Sequence, residues 1–536
     1  MTLCPRRLCF LCCLAQAAAI SLALGQARTH GPVAGGVTTS TANVFVRTDQ
    51  ETSVALEYGT DPNLTDYTLS AGLQTKAAID FTAMIPLAAL QPETTYYLNV
   101  VVNGVPDRAG PPYPYFKTFA SSAVSMEFKF VVLTDFTTIG TLDKPSPAFA
   151  SAAAELPAFV FIGGDFDHRN PRTLQDKRTM FKELYDPATP FMSDFVPLIL
   201  ERGAIIHQWD DHDAGANNLD RTYRAWNLSQ QVFQEYVPSY TLPSVTPGIW
   251  QKFTYAQAEC FVLDCRSQRD PETDQDDDSK SMLDGNNVGA GGELEWLKDG
   301  LLASTARWKI IFTSVIVNPT TKQQDAWGAY QTEWNALKAF INGNNIQGVV
   351  FISGDLHLGA IDSGIASGFP EMCVAAANSQ KDRVSCATAP DGVWSEGYFD
   401  DPCPGYGLVT VLTNPDRLVL QAVDESGATR VAYTVASATP APTPTPAPPV
   451  ITMQPARRTV RVGGTTKFRV LATGDEPLSY QWQKNEANIT GANAASYTIP
   501  PAKESDNGEL FDVIVSNLAG SVTSAEAKLT VKPARP

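Results

Sequence analysis

Apolar and polar positions alternate between residues 31 and 120, as at 44–46 and 54–58, with glycine and proline between the runs. This pattern predicts the short strands of a β-sandwich. Between residues 125 and 435 the pattern changes, because continuous apolar runs such as 128–133 alternate with helical stretches such as 293–302. Buried strands that alternate with helices predict a layered α/β domain.

A proline-rich spacer follows at 436–449, and strand-like alternation returns at 450–532. The spacer is expected to be extended and semi-rigid, without chemistry of its own. The segment 480–482 and the segment 506–513 resemble an immunoglobulin-like sandwich with a buried Trp482. Val470 and Val513 stand near the usual positions of its inter-sheet cysteines, so we expect this module to be held by packing alone.

The N-terminal residues predict export. Arg6 and Arg7 precede an apolar run from Leu8 to Leu24, which indicates a secretory leader at 1–27. Residues 6–11 also resemble a twin-arginine signal, and an ordinary leader is the alternative. No later segment has the roughly 20 continuous apolar residues that a transmembrane helix needs. We therefore expect a secreted or periplasmic protein without a transmembrane segment.

Composition and charge narrow the possible partners. The 536 residues are 43% hydrophobic, which favours several packed domains over disorder. A net charge of −17 disfavours nucleic-acid scaffolds and anionic membranes as partners, so any phosphate chemistry must rely on local cations. An odd number of cysteines follows the leader, so at least one thiol is unpaired within the chain, while export allows one or two disulfides. These cysteines are Cys260, Cys265, Cys373, Cys386 and Cys403.

Acidic and histidine residues follow four predicted strands, in the segments 131–135, 159–168, 204–213 and 349–357. Strand ends are where α/β folds place their sites. Four strands that bring carboxylates and imidazoles to one edge predict a dinuclear metal site, because the crowded anions would repel one another unless cations lay between them. The chain has five histidines, of which His30 and His207 are expected to be structural. The candidate residues are Asp135, Asp165, His168, Asp211, His212, Asp355 and His357.

The order of these motifs resembles the calcineurin-like metallophosphoesterases, and more closely the alkaline phosphatase D (PhoD-like) family. The most specific marks are WDDHD at 209–213, LDCRSQRDP at 263–271 and SGDLH at 353–357. The resemblance implies an α/β fold, with a four-layer metallophosphoesterase β-sandwich flanked by helices at 125–435. It also matches a fibronectin III-like N-terminal domain at 31–120, where residues 90–97 look like a tyrosine corner. The immunoglobulin-like domain at 450–532 lies outside the resemblance.

The same resemblance implies a secreted phosphoesterase that acts on a phosphate-ester substrate with two divalent or trivalent metal ions. Fe, Ca, Mn and Zn are the candidates, and an unequal pair is expected because one site has imidazole ligands and the other is almost all oxygen. Metal A would be held by Asp135, Asp165, His168 and His357, while metal B would share Asp165 and take Asp211 and Asp355.

The implied mechanism is attack of a metal-bridging hydroxide on phosphorus. His212 would protonate the leaving group or stabilise its charge. Arg266 and Arg269 would neutralise the remaining phosphoryl oxygens, and a salt bridge with Asp264 or Asp270 is the alternative for each arginine.

Departures from the family pattern bear on the identity of the metals, and the departure at the first strand also leaves a second interpretation open. The first strand ends in Asp135-Phe136-Thr137 instead of Asp-x-His, His168 stands where tyrosine is common, and Asp355 replaces a histidine of the broader superfamily. The alternative is a surface adhesion or ligand-binding protein with a degenerate phosphatase core. In either case the C-terminal domain could contact a cell surface or a polysaccharide. Monoester and diester substrates both stay open.

Overall fold

A computed structural model describes residues 27–136, 143–244, 247–284, 291–322, 324–377, 393–399, 403–437, 448–474, 477–517 and 519–534. The predicted leader at 1–27 and the spacer at 436–449 lie almost wholly outside these ranges, so export and the character of the spacer stay predictions. The chain divides into two compact units, Met1–Ser437 and Ala438–Pro536.

The strands of the first unit are, in chain order, β1 (Arg28–Gly35), β2 (Ala42–Thr48), β3 (Ser53–Gly59), β4 (Thr68–Leu69), β5 (Leu73–Gln74), β6 (Thr82–Leu87), β7 (Thr95–Val102), β8 (Val105–Pro106), β9 (Tyr115–Lys117), β10 (Phe128–Leu133), β11 (Val160–Ile162), β12 (Ala204–His207), β13 (Gln251–Tyr255), β14 (Ala258–Val262), β15 (Trp308–Phe312), β16 (Val349–Ser353), β17 (Gly359–Asp362), β18 (Glu371–Cys373), β19 (Gly397–Phe399), β20 (Gly405–Leu412), β21 (Arg417–Asp424) and β22 (Thr429–Ala436). Its helices are α1 (Pro147–Ala154), α2 (Leu174–Leu184), α3 (Asp211–Ala214), α4 (Trp226–Tyr236), α5 (Glu293–Ala303) and α6 (Gln331–Gly343), with short 3₁₀ turns at Ala77–Ile79, Pro190–Met192 and Trp327–Ala329 and a π-helical turn at Val196–Leu200.

Two large sheets form the centre of the first unit. One has nine strands in the order β22-β21-β20-β10-β11-β12-β1-β2-β6, and the other has seven in the order β13-β14-β15-β16-β18-β17-β19. The neighbours β10, β11 and β12 are parallel, as are β14, β15 and β16, so their C-terminal ends lie at one edge of each sheet. These ends carry the motifs singled out in the sequence.

Side chains from the inner faces of both sheets form one core, and helices cover the outer faces. Phe130 and Val132 of β10 lie in the core between the sheets, whereas Val131 and Leu133 pack in the cluster that contains residues of α1, α2 and α4. A third cluster joins the other face of the seven-stranded sheet to α5 and α6. Strands buried on both faces explain the continuous apolar runs. The layered α/β prediction is confirmed.

The N-terminal strands do not form a separate body. β1 pairs in parallel with β12, through Ala34 opposite Ala204 and Gly35 opposite Ile205, so β1, β2 and β6 extend the nine-stranded sheet. A Cβ at Gly35 would lie 2.7 Å from the carbonyl oxygen of Ile205, which explains the glycine at this pairing. The boundary predicted between residues 120 and 125 therefore does not separate two compact units.

The remaining N-terminal strands, β3 to β5 and β7 to β9, form a six-stranded sheet. The Tyr96 hydroxyl accepts a hydrogen bond of 2.9 Å from the Gln91 N–H, which is the contact that a tyrosine corner makes. The fibronectin III-like assignment of residues 31–120 stays a prediction.

The second unit is a β-sandwich. Its strands are β23 (Val450–Met453), β24 (Arg458–Arg461), β25 (Lys467–Arg469), β26 (Leu471–Thr473), β27 (Ser479–Lys484), β28 (Ala487–Asn488), β29 (Ser496–Thr498), β30 (Leu510–Asn517), β31 (Gly520–Thr523) and β32 (Ala527–Lys532), with a 3₁₀ turn at Glu504–Asp506. Trp482 is fully buried beside Val470 and Val513, and its Nε1 donates to the Ala494 carbonyl oxygen at 2.9 Å. The core is thus packed around the tryptophan, with valines in place of a cysteine pair.

Among the cysteines of the described ranges, Cys260, Cys265 and Cys373 are buried free thiols, whereas Cys403 is disulfide-bonded. Cys386 lies outside those ranges. None of the helices in the described ranges combines the length and the apolar character needed to cross a membrane.

The contact between the two large sheets generates a stability prediction. The rings of Phe161 on β11 and Phe312 on β15 stack with centroids 3.8 Å apart, and both side chains are buried. Phe312→Ala should lower the free energy of unfolding by about 3–5 kcal/mol, because it leaves a cavity between the sheets. The matched control, Leu302→Ala, removes an exposed side chain of α5 and should change it by less than about 0.5 kcal/mol. Equal shifts of the urea midpoints of the two variants would contradict this account.

Candidate metal centre

The ends of four strands meet at one place. Asp135 follows β10, Asp165 follows β11 and Asp355 follows β16, while Asp211 begins the helix after β12. The Asp135 N–H donates to the Gly164 carbonyl oxygen at 3.2 Å, and the Asp355 N–H lies 3.3 Å from Asp135 Oδ2. The two large sheets therefore contribute carboxylates to a single centre.

The backbone of these strand ends adopts the left-handed conformation at several side chains that point into the centre. The φ angles are 54° at Asp135, 54° at Asp165, 67° at Asp355 and 56° at His357. Such conformations are uncommon outside glycine and concentrate at functional sites. Gly164 has a φ of 97°, and a Cβ there would lie 2.5 Å from the Asp210 nitrogen, so only glycine permits this approach of the two loops.

Three imidazoles lie together in the centre. The ring centroid of His168 is 4.4 Å from that of His212 and 5.3 Å from that of His357. His168 Nε2 is 3.6 Å from a carboxylate oxygen of Asp165, and His357 Nε2 is 3.6 Å from one of Asp135. Burial, together with the neighbouring His212 and His357, lowers the pKa of His168 to about 4. The ring is therefore neutral at neutral pH, as a metal ligand requires.

Two groups of side chains have the spacing of metal ligands, and they share Asp165. One comprises Asp165, His168 and His212, and the other comprises Asp165, Asp210 and Asp355. Within each group the ligand atoms lie within 4.8 Å of one another. A carboxylate common to two ligand groups is the arrangement that a pair of cations needs.

The donor set also fits cations electrostatically. Burial, followed by the charges of Asp211 and Asp210, raises the pKa of Asp165 well above its usual value. In the described part of the chain, Asp135 Oδ1, His168 Nε2 and Asp211 Oδ1 are buried without a hydrogen-bond partner. Buried polar atoms without partners are costly, and these three belong to predicted ligands. The residues present therefore fit a dinuclear metal centre.

Arg266 and Arg269, which were predicted to neutralise phosphoryl oxygens, occupy enclosed positions. Both side chains are fully buried. Arg266 holds both oxygens of Asp210, the second at 2.9 Å, and also pairs with Asp325. Arg269 pairs with Asp325 and donates to the Leu219 carbonyl oxygen at 2.9 Å. Their carboxylate partners also differ from Asp264 and Asp270, because the chain folds Asp210 and Asp325 against them.

Lys322 is a cation of the site that the sequence interpretation missed. Its ammonium pairs with Asp355 and lies 3.1 Å from Asp325, and 26% of its side chain is exposed. Asp355 and Asp325 outweigh the effect of burial and raise the pKa of Lys322 above its usual value. Lys322 does not follow a predicted strand directly, so the pattern of apolar runs did not identify it as a site residue.

Two further side chains orient the predicted residues. Asn170 Oδ1 lies 2.7 Å from His212 Nδ1, so the imidazole donates its Nδ1 proton and directs Nε2 elsewhere. The Asp213 carboxylate accepts from the N–H groups of Asp165 at 2.6 Å and Phe166 at 2.7 Å. Asp213 therefore fixes the loop after β11 to α3. The position of Asp213 in the WDDHD segment could have identified it from the sequence, whereas Asn170 lies in a loop that has no recognisable motif.

Comparisons with known proteins agree with this geometry. Residues 174–383 match the PhoD-like phosphatase family model, and residues 448–517 match the immunoglobulin domain model. Alkaline phosphatase D of Bacillus subtilis is 27% identical over 176 residues, which cover 28% of this chain and 30% of that relative. The chain thus matches less than a third of the relative's length.

Solved structures show the same fold. The structure of PhoD superposes with a TM-score of 0.61 at 17% identity, over 76% of this chain and 89% of that chain. A purple acid phosphatase from yellow lupin seeds superposes with a TM-score of 0.53 at 12% identity, over 77% of this chain and 74% of that chain. The protein carries a PhoD-like phosphatase domain, and a C-terminal immunoglobulin domain follows it.

Proposed function

We propose that the protein hydrolyses phosphate mono- or diesters with two metal ions bound at the C-terminal ends of β10, β11, β12 and β16. The observation that carries this proposal is the position of Asp165, which has ligand atoms within 4.8 Å of those of both His168, expected at metal A, and Asp355, expected at metal B. The names of its relatives, alkaline phosphatase D and purple acid phosphatase, support the reaction class. Bound cations at such a centre lower the pKa of water and polarise a phosphoryl oxygen.

The ligands divide by chemistry as the resemblance implies. His168 and His357 would hold metal A with Asp135, whereas Asp211 and Asp355 would hold metal B, and Asp165 would belong to both. Imidazoles suit Fe or Zn, and carboxylates suit Ca or Mn. Asp210 falls in the second ligand group, but Arg266 already binds both of its oxygens, so we assign Asp210 to positioning.

We assign His212 as the proton donor to the leaving group. The contact with Asn170 keeps a proton on Nδ1 and leaves Nε2 3.8 Å from Asp211 Oδ1. That nitrogen can carry a second proton or bind a metal, and the site already has two other imidazoles for metal A. Proton donation is therefore the role that the remaining ligands leave to His212.

A degenerate core is less compatible with the geometry. The departure at Thr137 that suggested it lies outside the described residues, so its role is not decided. The other predicted ligands converge, and atoms of Asp135, His168 and Asp211 are buried without partners. A site that had lost its cations would gain stability by replacing such groups.

Metal removal tests the proposal directly. The purified protein should contain two metal ions per chain, and exhaustive chelation should abolish hydrolysis of a soluble phosphate ester, because the buried carboxylates then lack their counter-ions. Elemental analysis and steady-state rates measure this, and circular dichroism should show that the β-sandwich of the second unit persists. Full activity in protein shown to be metal-free would contradict the proposal.

Substitutions in the WDDHD segment separate binding from chemistry. His212→Ala should keep both metals and lose roughly two to four orders of magnitude in turnover. The loss should shrink for an ester with a very acidic leaving group, since that group departs without a proton. Asp211→Ala should instead lose metal B. If His212→Ala loses a metal, the histidine is a ligand, and if it slows both esters equally, it orients the phosphoryl group.

Lys322 offers the exposed positive charge that the enclosed arginines lack, so we propose that it contacts the phosphoryl oxygens. Lys322→Met should lower kcat/KM about 10- to 100-fold, the effect of a lost hydrogen bond to a charged group. Lys322→Arg is the matched variant that keeps the charge and should retain most activity. Metal content should be unchanged in both. Loss of one metal from Lys322→Met would show that the lysine positions Asp355 as a ligand and does not act through the substrate.

A further inference from the structure

The two units of the chain carry opposite net charges. Residues 438–536 contain ten Lys and Arg against eight Asp and Glu, whereas residues 1–437 contain thirty against forty-nine. The unit with the proposed metal centre is therefore strongly acidic, and the immunoglobulin domain is slightly basic. A polyanion would be repelled by the first unit at long range.

Three of the ten basic residues of the second unit share one exposed sheet face with two threonines, and we call this group the basic ladder. β24 is an edge strand that pairs in parallel with β32, with Thr459 opposite Thr530 and Arg461 opposite Lys532. Along β32 the residues alternate between buried and exposed, so Lys528 shares the exposed face with Thr530 and Lys532. The basic ladder consists of Thr459, Arg461, Lys528, Thr530 and Lys532.

The charges of the basic ladder have no acidic partner among the described residues of the second unit. Arg461 and Lys532 are direct neighbours on strands about 4.8 Å apart, where like charges are destabilising. Arg461 Nη1 donates to the Pro533 carbonyl oxygen at 3.0 Å, which holds the guanidinium at this position. In the described part of the second unit, Lys484 forms ion pairs with Asp506 and Glu509, and no ladder residue pairs with an acid.

The acids of the neighbouring strands lie at the other end of the ladder. Glu526 precedes β32 on the same exposed face, and it interacts with Asp512 of β30. The turn Glu504–Asp506 also packs near β32, but its Asp506 is paired with Lys484. Among the described strands of this sheet, β24 and β32 contribute only basic and uncharged residues at the end near Arg461 and Lys532. Charged edge strands also prevent aggregation, but mixed charges would serve that purpose without repulsion between neighbours.

We propose that the basic ladder binds a linear polymer of phosphates and so holds a polymeric substrate on the chain. Alternate residues of a strand are about 7 Å apart, so a single small anion would contact only part of the ladder, whereas a chain of repeated anions would contact all of it. A guanidinium fork and hydroxyl donors match phosphate oxygens. The choice of phosphate rests on the proposed function, because binding such a polymer would raise the local concentration of ester at the centre.

Binding of long-chain inorganic polyphosphate to the full-length, chelated protein tests this inference. Arg461→Glu/Lys532→Glu should weaken binding at least about tenfold and reduce the dependence of log Kd on log salt by about 1.4, which is about 0.7 per lost contact. The matched control is Lys467→Glu/Arg469→Glu on β25, because these residues are exposed, lie outside the ladder's sheet and give the same change in net charge. The control should lose less than about threefold in affinity, and tryptophan fluorescence should show that both variants are folded.

Each result decides between distinct explanations. Equal losses in the two variants would overturn the inference in favour of general charge attraction, and no binding by the unchanged protein would overturn it outright. If polygalacturonate bound more tightly and depended on the same residues, the ligand would be an acidic polysaccharide instead. Polyphosphate binding is measured without turnover, so it does not depend on catalysis. If the metal-loaded protein failed to hydrolyse a small ester but still bound polyphosphate through the ladder, only the proposed function would be refuted.

Discussion

Repulsion between buried carboxylates is the constraint on which the centre of this molecule depends. Asp135, Asp165, Asp210, Asp211 and Asp355 meet where the strand ends of two sheets converge. A buried carboxylate is stable only if a cation or several donors compensate it. The fold supplies some of this compensation from its own groups and leaves the rest to bound ions.

Carboxylates at the periphery of the site are compensated by more protein groups than the carboxylate oxygens that face its middle. Asp213 accepts three backbone N–H groups, and Asp325 is surrounded by Arg266, Arg269 and Lys322. The oxygens that face the centre have fewer partners, as Asp135 Oδ1 and Asp211 Oδ1 show. Arg266 fixes Asp210 beside the predicted ligands, while its contact with phosphoryl oxygens stays a prediction. Without Arg266, a buried charge would stand uncompensated next to the metal centre.

The sequence predicted those parts of the site that depend on strand ends. Asp165 and Asp355 follow apolar runs, so the geometry of parallel strands determines where they lie. The arginines were placed in the right region, but a motif does not show which way a side chain turns, and Asp325 comes from a distant loop. Asn170 and Lys322 also lie in loops without a periodic pattern. The pairing of β1 with β12 was not predicted for a related reason, since the two strands are far apart in sequence.

The negative charge of the first unit favours cation binding in the centre but repels anionic substrates at the surface. Within the centre, negative charge is concentrated to bind cations, and the surplus of acids extends over the unit as a whole. Outside it, that surplus opposes an anionic substrate mainly within about a Debye length of the surface, near 8 Å at physiological salt, because salt screens the repulsion at longer range. Within this distance a local cation such as Lys322 acts with little screening. A polymeric anion experiences the repulsion at every repeat, so its capture requires a cationic surface elsewhere on the chain. The proposed basic ladder would meet this requirement, because it belongs to the other compact unit of the chain, whose net charge is positive.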